Sequence, residues 1–303
     1  MALKQIKNKI KATERTSKVT KAMQAVSAVK MRKSQERALA GRPFAEAALR
    51  ILEHVSRDYG AQSHPLFAEH AEGKHAVVVV TSDKGLAGSL NSSVLKEAER
   101  VVAASSKENV AVICFGRKSY EHFSRRGYEV PLHFLNVQDD VSLDDFEVVA
   151  SHLISEFSAK RYHAVHVVYE SFISTFAQEA VSERILPLKS ASLQEIVAGI
   201  TPSAGKWSGT AEERPHIPYT VEPSGEEVYA EIFPLLIKVM LYHALLESKA
   251  SEHSARMVAM KNATDKAEEV ERTLTLAYNK ERQSVITAEV SEITGGIEAM
   301  KAA

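Results

Sequence analysis

The stretch VVVVTSDKGLAGSLN at residues 77–91 holds the residue types most able to do chemistry: a buried apolar run, a glycine turn and the opening of a helix. A helix N-terminus behind such a turn can hold a phosphate or another anion on its free N–H groups. Gly85 and Gly88, however, give only G-x-x-G. Neither the dinucleotide fingerprint G-x-G-x-x-G nor the phosphate loop G-x-x-x-x-G-K-[ST] occurs in the chain. The stretch therefore reads as a tight βα turn, with Asp83 expected to help cap the helix after it. The 12 histidines are scattered, with no H-E-x-x-H and no Cys/His cluster, so no metal site is expected. Serines are plentiful, but the nucleophile elbow G-x-S-x-G is missing. The single cysteine, Cys114, lies in the apolar run VAVICFG, which excludes an internal disulfide and suits a reducing compartment. Met23, Met257 and Met260 fit adaptable packing better than a cofactor box. These residues predict a non-catalytic chain without cofactor or metal.

The elements that carry these residues fall into three segments: 1–58, 59–221 and 222–303. The middle segment alternates strand and helix. HAVVVVT, NVAVICFG, VPLHFLN and YHAVHVVYESF read as strands, and AGSLNSSVLKEAERVVAAS, RKSYEHFSRRG and SLDDFEVVASHLISEFSAK as helices. Such alternation predicts a Rossmann-like α/β domain with a largely parallel sheet. The proline-bearing stretch 187–221, with the lone Trp207, reads as loop.

The outer segments read as long helices. Residues 3–57 are rich in Ala, Lys, Gln, Arg and Met. Leu3, Ile6, Ile10, Val19, Met23 and Val26 form its apolar stripe, with a disturbance expected at Gly41–Pro43. The last segment opens on Ser224 and Glu227, a capping-box pair. An interruption is expected at Pro234. From Val228 to Ala277 a stripe then steps by three or four, including Val239, Leu246, His253, Met257, Val270 and Leu274.

A domain of this size is about 40 Å across, whereas a helix of 55 residues runs about 80 Å. Much of each helix must therefore project, and the two stripes must face each other as an antiparallel pair rooted on one domain. With equal rise, residue i of the first helix is expected opposite residue 279 − i of the last, which puts Leu3 near Leu276. The last helix then outruns its partner. Ile286, Val290, Ile293 and Ile297 form a new apolar stripe that nothing in the chain covers, and the glycines 295–296 mark its end. That stripe calls for a partner protein. Arg282 and Gln283 stand where the bare portion begins, and Arg suits bidentate pairing with a partner's carboxylates.

Composition agrees. The chain is 45% hydrophobic and 25% charged, which is ordinary for a folded protein, and no apolar run approaches the length of a membrane span. Residues 1–57 hold 14 Lys+Arg against 4 Asp+Glu, and the remainder 24 against 35. A mitochondrial transit peptide would be basic too, but this segment runs too long and prefers Lys. No aromatics interleave with its charges, so nucleic acid is not expected as a partner.

KVTKAMQAVSAVKMRKSQERALAGRPFAE at 18–46 and LLESKASEHSARMVAMKNATDKAEEVERTLTLAYNKERQSVITAEVSEI at 245–293 resemble the terminal helices of the γ subunit of F-type ATP synthases. TSDKGLAGSLN resembles that family's first strand and turn, where cysteine often stands at the place of Ala87. The ending ITGGIEAMKAA departs from the family's small apolar terminus, and the cysteine pair of the redox-regulated chloroplast version is missing. The resemblance implies a central rotor shaft that couples ion flow through a membrane rotor to ATP synthesis or hydrolysis. Nucleotides would bind to other chains. The implied partners are the α and β subunits of the catalytic ring, the ε subunit and the ring of c subunits. The implied location is peripheral, on the cytoplasmic face of the bacterial plasma membrane. Met23, Arg256, Arg282, Gln283, Thr287 and Glu289 match family positions implicated in coupling and contact with β. Two other readings stay open on the residues alone: a static coiled-coil scaffold, and an α/β enzyme acting on a phosphorylated ligand.

Overall fold

The computed structural model describes residues 2–59, 64–188 and 225–302, with side chains given for 3–37, 64–188, 227–228 and 230–300. The Trp207 loop and Ser224 of the expected capping box lie outside the described residues.

Two terminal helices frame the chain: α1 (Ala2–Tyr59) and α5 (Gly225–Ala302). Neither expected break occurs. The helical backbone continues through Gly41 and Pro43, and again through Pro234. Proline in a helix interior forfeits one hydrogen bond and crowds the preceding turn, at a cost of ~3 kcal/mol. For Pro234 the cover given to its neighbours offsets that cost, since Phe233, Leu236 and Ile237 are all buried. Between the helices lie β1 (Lys74–Val80), α2 (Leu90–Val102), β2 (Val110–Phe115), α3 (Arg117–Arg125), β3 (His133–Phe134), α4 (Glu147–Ser158), β4 (Tyr162–Ser174) and β5 (Ala177–Leu186).

The sheet is five-stranded in the order β3-β2-β1-β4-β5. Its first four strands are parallel, and β5 returns antiparallel beside β4. Strand β1 reads as an unbroken valine run because it is buried on both faces. Ala76, Val78 and Val80 enter one core with Phe146, Leu153 and Phe157, while Val77 and Val79 enter the other with Val94, Ala98 and Phe123. The sheet is thus covered by α4 and part of α5 on one side, and by α2 and α3 on the other. The expected third strand, residues 130–136, shrinks to two residues at the sheet edge. Strand β5 was not expected at all; its Glu179, Glu183 and Arg184 suit an exposed edge and dilute the apolar signal.

The contacts divide the chain into two compact units, Ala28–Ala255 and Met1–Ser27 with Arg256–Ala303. In the first, α5 is apolar on more than the stripe read from sequence. Phe233, Ile237, Met240, Leu241, Ala244 and Leu245 join the core of the sheet, while Val239, Leu246 and Ala250 are buried besides. A helix buried nearly all round carries apolar residues nearly all round.

The second unit is an antiparallel helix pair with a mostly polar seam. Residues Leu3, Ile6, Ile10, Thr13, Ser17, Thr20, Gln24 and Ser27 of α1 are buried or half-buried, each three or four from the last. Opposite them run Met260, Thr264, Ala267, Glu271, Leu274, Tyr278 and Glu281. Val19 and Val26, expected in this seam, instead point outward, 58% and 56% exposed. Short hydroxyl side chains take their place, and they can be buried because the helix backbone satisfies them: Thr20 donates to the Ser17 carbonyl (3.0 Å) and Thr264 to that of Met260 (2.8 Å). Thr20 Oγ1 and Thr264 Oγ1 are 2.6 Å apart, so one hydroxyl can instead turn its single proton to the other and bond across the seam. That pair sets the register. Opposed residue numbers sum to about 284 rather than 279 (20 and 264), a shift of five residues from the expectation. Leu3 consequently lies level with Glu281, and Leu276 faces outward, 65% exposed.

Candidate functional site

The turn at 82–89 builds no anion cradle from its side chains. Asp83 does not cap α2. Its Oδ1 accepts from the backbone N–H of Arg117 (3.0 Å), the first residue of α3, and of Asn136 (2.9 Å), and its Oδ2 from that of Val137 (3.1 Å). Ser82 is likewise engaged with Asn91, whose Oδ1 accepts from the Ser82 N–H at 3.0 Å. Asp83 thus joins the exits of three neighbouring strands, and the opening stretch serves as a structural fastening. The Cys114 thiol is buried and pushed up to about 12 by that burial, so it is protonated and inert at neutral pH.

A second polar group lies across β1 and β4. His75 Nε2 and His166 Nδ1 are 2.7 Å apart. Both are held down at about 4, first by burial, then by His163 and Arg184 for His75 and by His75, Arg184 and His163 for His166. They are neutral at pH 7 and share one proton between facing nitrogens, an arrangement that links two strands. Among the described residues, no group of three or more His, Cys, Asp or Glu side chains is placed to hold a metal.

The candidate site is the part of α5 beyond Glu281. Among the described residues the partial cover by α1 reaches no further than Glu281, level with Leu3, and every residue from 282 to 300 is exposed. Ile286 (50% exposed), Val290 (56%), Ile293 (63%), Ile297 and Met300 recur at four and three, a single apolar face with no cover among the described residues. The helix does not stop at Gly295–Gly296 as expected but runs to Ala302, and a methyl group added at either glycine would meet open space.

The remaining expected site residues divide by burial. Arg282, Gln283, Thr287 and Glu289 are exposed on the bare portion, with the Thr287 hydroxyl donating back to the Gln283 carbonyl at 2.9 Å. Met23 is half-buried beside the seam, and Arg256 is buried within its own chain. The structure therefore gathers Arg282, Gln283, Ile286, Thr287, Glu289, Val290 and Ile293 on one bare helix and leaves Met23 and Arg256 elsewhere. Sequence reasoning missed Val19 and Val26 as outward-facing residues. The signal was available: a 3-4 series of Thr and Ser runs along the face beside them.

A family model described as ATP synthase matches residues 2–300. The ATP synthase gamma chain of Pelotomaculum thermopropionicum is 37% identical over 300 residues, 99% of each chain. That of Nitrosospira multiformis is 38% identical over 302 residues, 98% of this chain and 99% of the relative. Among solved structures, a chain of the Tetrahymena thermophila mitochondrial ATP synthase central stalk and c-ring is similar with a TM-score of 0.57 and 27% identity, over 81% of this chain and 99% of that one. A chain from the OSCP/F1/c-ring assembly of the Euglena gracilis enzyme shares the fold, with a TM-score of 0.64 at 19% identity over 99% of this chain and 95% of that one.

Proposed function

The chain belongs to the ATP synthase γ-chain family, and we propose that it is the central rotor shaft of an F-type ATP synthase, with 1–58 and 222–303 as shaft and 59–221 as body. The observation that carries this reading is the uncovered face of Ile286, Val290 and Ile293 on a helix that outruns its partner. Each aliphatic side chain buried in an assembly is worth ~1.5–3 kcal/mol, so three supply several kcal/mol before the costs of ordering. A sleeve formed by the α and β subunits is the cover we infer. The c ring and ε would engage the body.

In this reading the chain does no chemistry. ATP is made or hydrolysed on the ring, and an asymmetric shaft turning inside it gives the catalytic subunits different conformations in turn. Arg282, Gln283, Thr287 and Glu289 make the polar contacts where the bare helix begins, with Arg282 suited to a carboxylate of β. Arg256, buried in its own chain, and Met23, half-buried beside the seam, act by holding the shaft's form. Val19 and Val26 add a second apolar stripe for the same sleeve. No helix among the described residues is long and apolar enough to cross a membrane. Attachment to the cytoplasmic face of a bacterial plasma membrane would therefore come through the complex.

The test combines the purified chain with the α and β subunits of a relative and follows co-elution and ATP hydrolysis. The expected result is a single ATP-hydrolysing complex, with the Arg282→Ala/Gln283→Ala pair lowering turnover or assembly. Stoichiometric micromolar ATP binding by the isolated chain in calorimetry would favour the phosphoryl-ligand enzyme instead.

A further inference from the structure

Residues 135–141, the loop after β3, are gripped from two directions. From the sheet, the Asp83 carboxylate holds the N–H groups of Asn136 and Val137. From the terminal helices come three cationic side chains and one imidazole. Lys30 of α1 donates to Asp139 Oδ2 at 2.7 Å, and His253 of α5 lies with Nε2 3.1 Å from Asp139 Oδ1. Lys249 of α5 stands 3.7 Å from the same Oδ1 and donates to the Val137 carbonyl at 2.8 Å. Arg37 of α1 reaches the Asp139 carbonyl and the Asp140 carboxylate. The bond with His253 foremost, followed by that from Lys30, holds the Asp139 carboxyl well below the usual carboxylate range.

This joint differs from an ordinary surface ion pair. An isolated exposed pair contributes little because water and salt screen it. Here one carboxylate is shared by both terminal helices, and one of its partners, His253, is buried. The other ring nitrogen of His253 is buried without a hydrogen-bond partner among the described residues. The bond to Asp139 therefore sets the ring's orientation, and losing it would leave a buried ring with neither nitrogen bonded.

We propose that Asp139 is a positioning residue for rotary coupling. It locks α1 and α5 to the β3 loop and, through Asp83, to the sheet, so that a turn imposed on the sheet reaches both helices together. The proposal rests on the rotor-shaft reading. It assigns to one residue the joint between the ion-driven body and the two helices that continue toward the ring.

The experiment reconstitutes the complete complex in sealed vesicles and measures ions taken up per ATP hydrolysed. With the wild-type chain, the absence of ATP-driven uptake would overturn the rotor reading and this proposal with it. Given wild-type uptake, Asp139→Ala should lower the number of ions moved per ATP and the final gradient, and Asp139→Glu should restore both. A merely structural role would lower the yield of assembled complex and leave the ratio per complex untouched. Lys30→Gln removes one solvent-facing arm of the joint and should give a smaller loss of the same kind. It carries the test alone if Asp139→Ala does not assemble. A wild-type ratio in whichever of these variants assembles would overturn the proposal.

Discussion

The sheet and the last turns of α5 contain similar aliphatic residues in opposite circumstances. Along β1, Val77 through Val79 are fully buried, each covered by helices of the same chain. Along α5, Ile286, Val290 and Ile293 stand at least half exposed and have no cover among the described residues. The helix pair before the tip is intermediate, since its seam mixes Ser, Thr, Gln and Glu with Leu, Ile and Met. Aliphatic residues in the sheet stabilise this fold; those in the tip can only stabilise an assembly. The contrast separates residues that hold the molecule together from residues held in reserve for a partner.

The largest expected effect is in the core. Phe157→Ala removes a fully buried ring between α4 and the sheet and should destabilise the chain by ~3–5 kcal/mol in urea unfolding. A change under 1 kcal/mol would mean that the sheet is not the rigid half of the comparison.

Acid should act next, through His75 and His166. Both have a folded value of about 4 against an ordinary 6.5, so between these limits the unfolded chain binds more protons than the native one. Their contribution is complete above pH 6.5 and is lost as pH falls toward 4. Glu170, raised to about 7 chiefly by burial, works in the opposite sense: its contribution is complete below about 4.5 and lost as pH rises through 7. The histidine effect is therefore read as a difference. His75→Gln should lose less stability than wild type between pH 6.5 and 4 in chemical denaturation, and equal losses would contradict the sign.

The smallest effect on the free chain belongs to the tip. Replacing Ile286, Val290 and Ile293 together by Asp should shift the melting of the isolated chain little, since exposed substitutions usually stay within ~0.5 kcal/mol each. The same variant should fail to enter the ring in gel filtration. Asp at Met260 and Leu274, inside the helix pair, should instead lower the melting point of the free chain. If the tip variant melts as badly as the seam variant, the tip has cover within its own chain.

What the sequence revealed follows the same division. Strands β1, β2 and β4 were legible because burial on both faces leaves an apolar run with turns on either side. Strand β5 was not, because an edge strand with Glu179, Glu183 and Arg184 lacks that run. The α1 seam was misread for a related reason. Val19 and Val26 follow Leu3, Ile6 and Ile10 at plausible spacing, yet the helices meet through Thr13, Ser17 and Thr20, which carry no hydropathy signal. The register followed the same error, and only the Thr20–Thr264 contact corrects it by five residues. The bare tip was legible despite this. It depends on the difference in helix length, and a shift of five residues leaves Ile286 onward uncovered either way. Asp139 was invisible because its importance lies in the convergence of two helices far apart in sequence.

The central claim is that residues 282–300 are bare in the free chain and sheathed in the complex. Backbone amide hydrogen exchange, followed by mass spectrometry on the free chain and on the assembled α, β and γ complex, tests it most directly. The account predicts fast exchange across 282–300 in the free chain, strong protection of the same peptides after assembly, and nearly equal protection of 76–80 in both. Exchange at 282–300 that is equally fast in the complex, or already slow in the free chain, would contradict it.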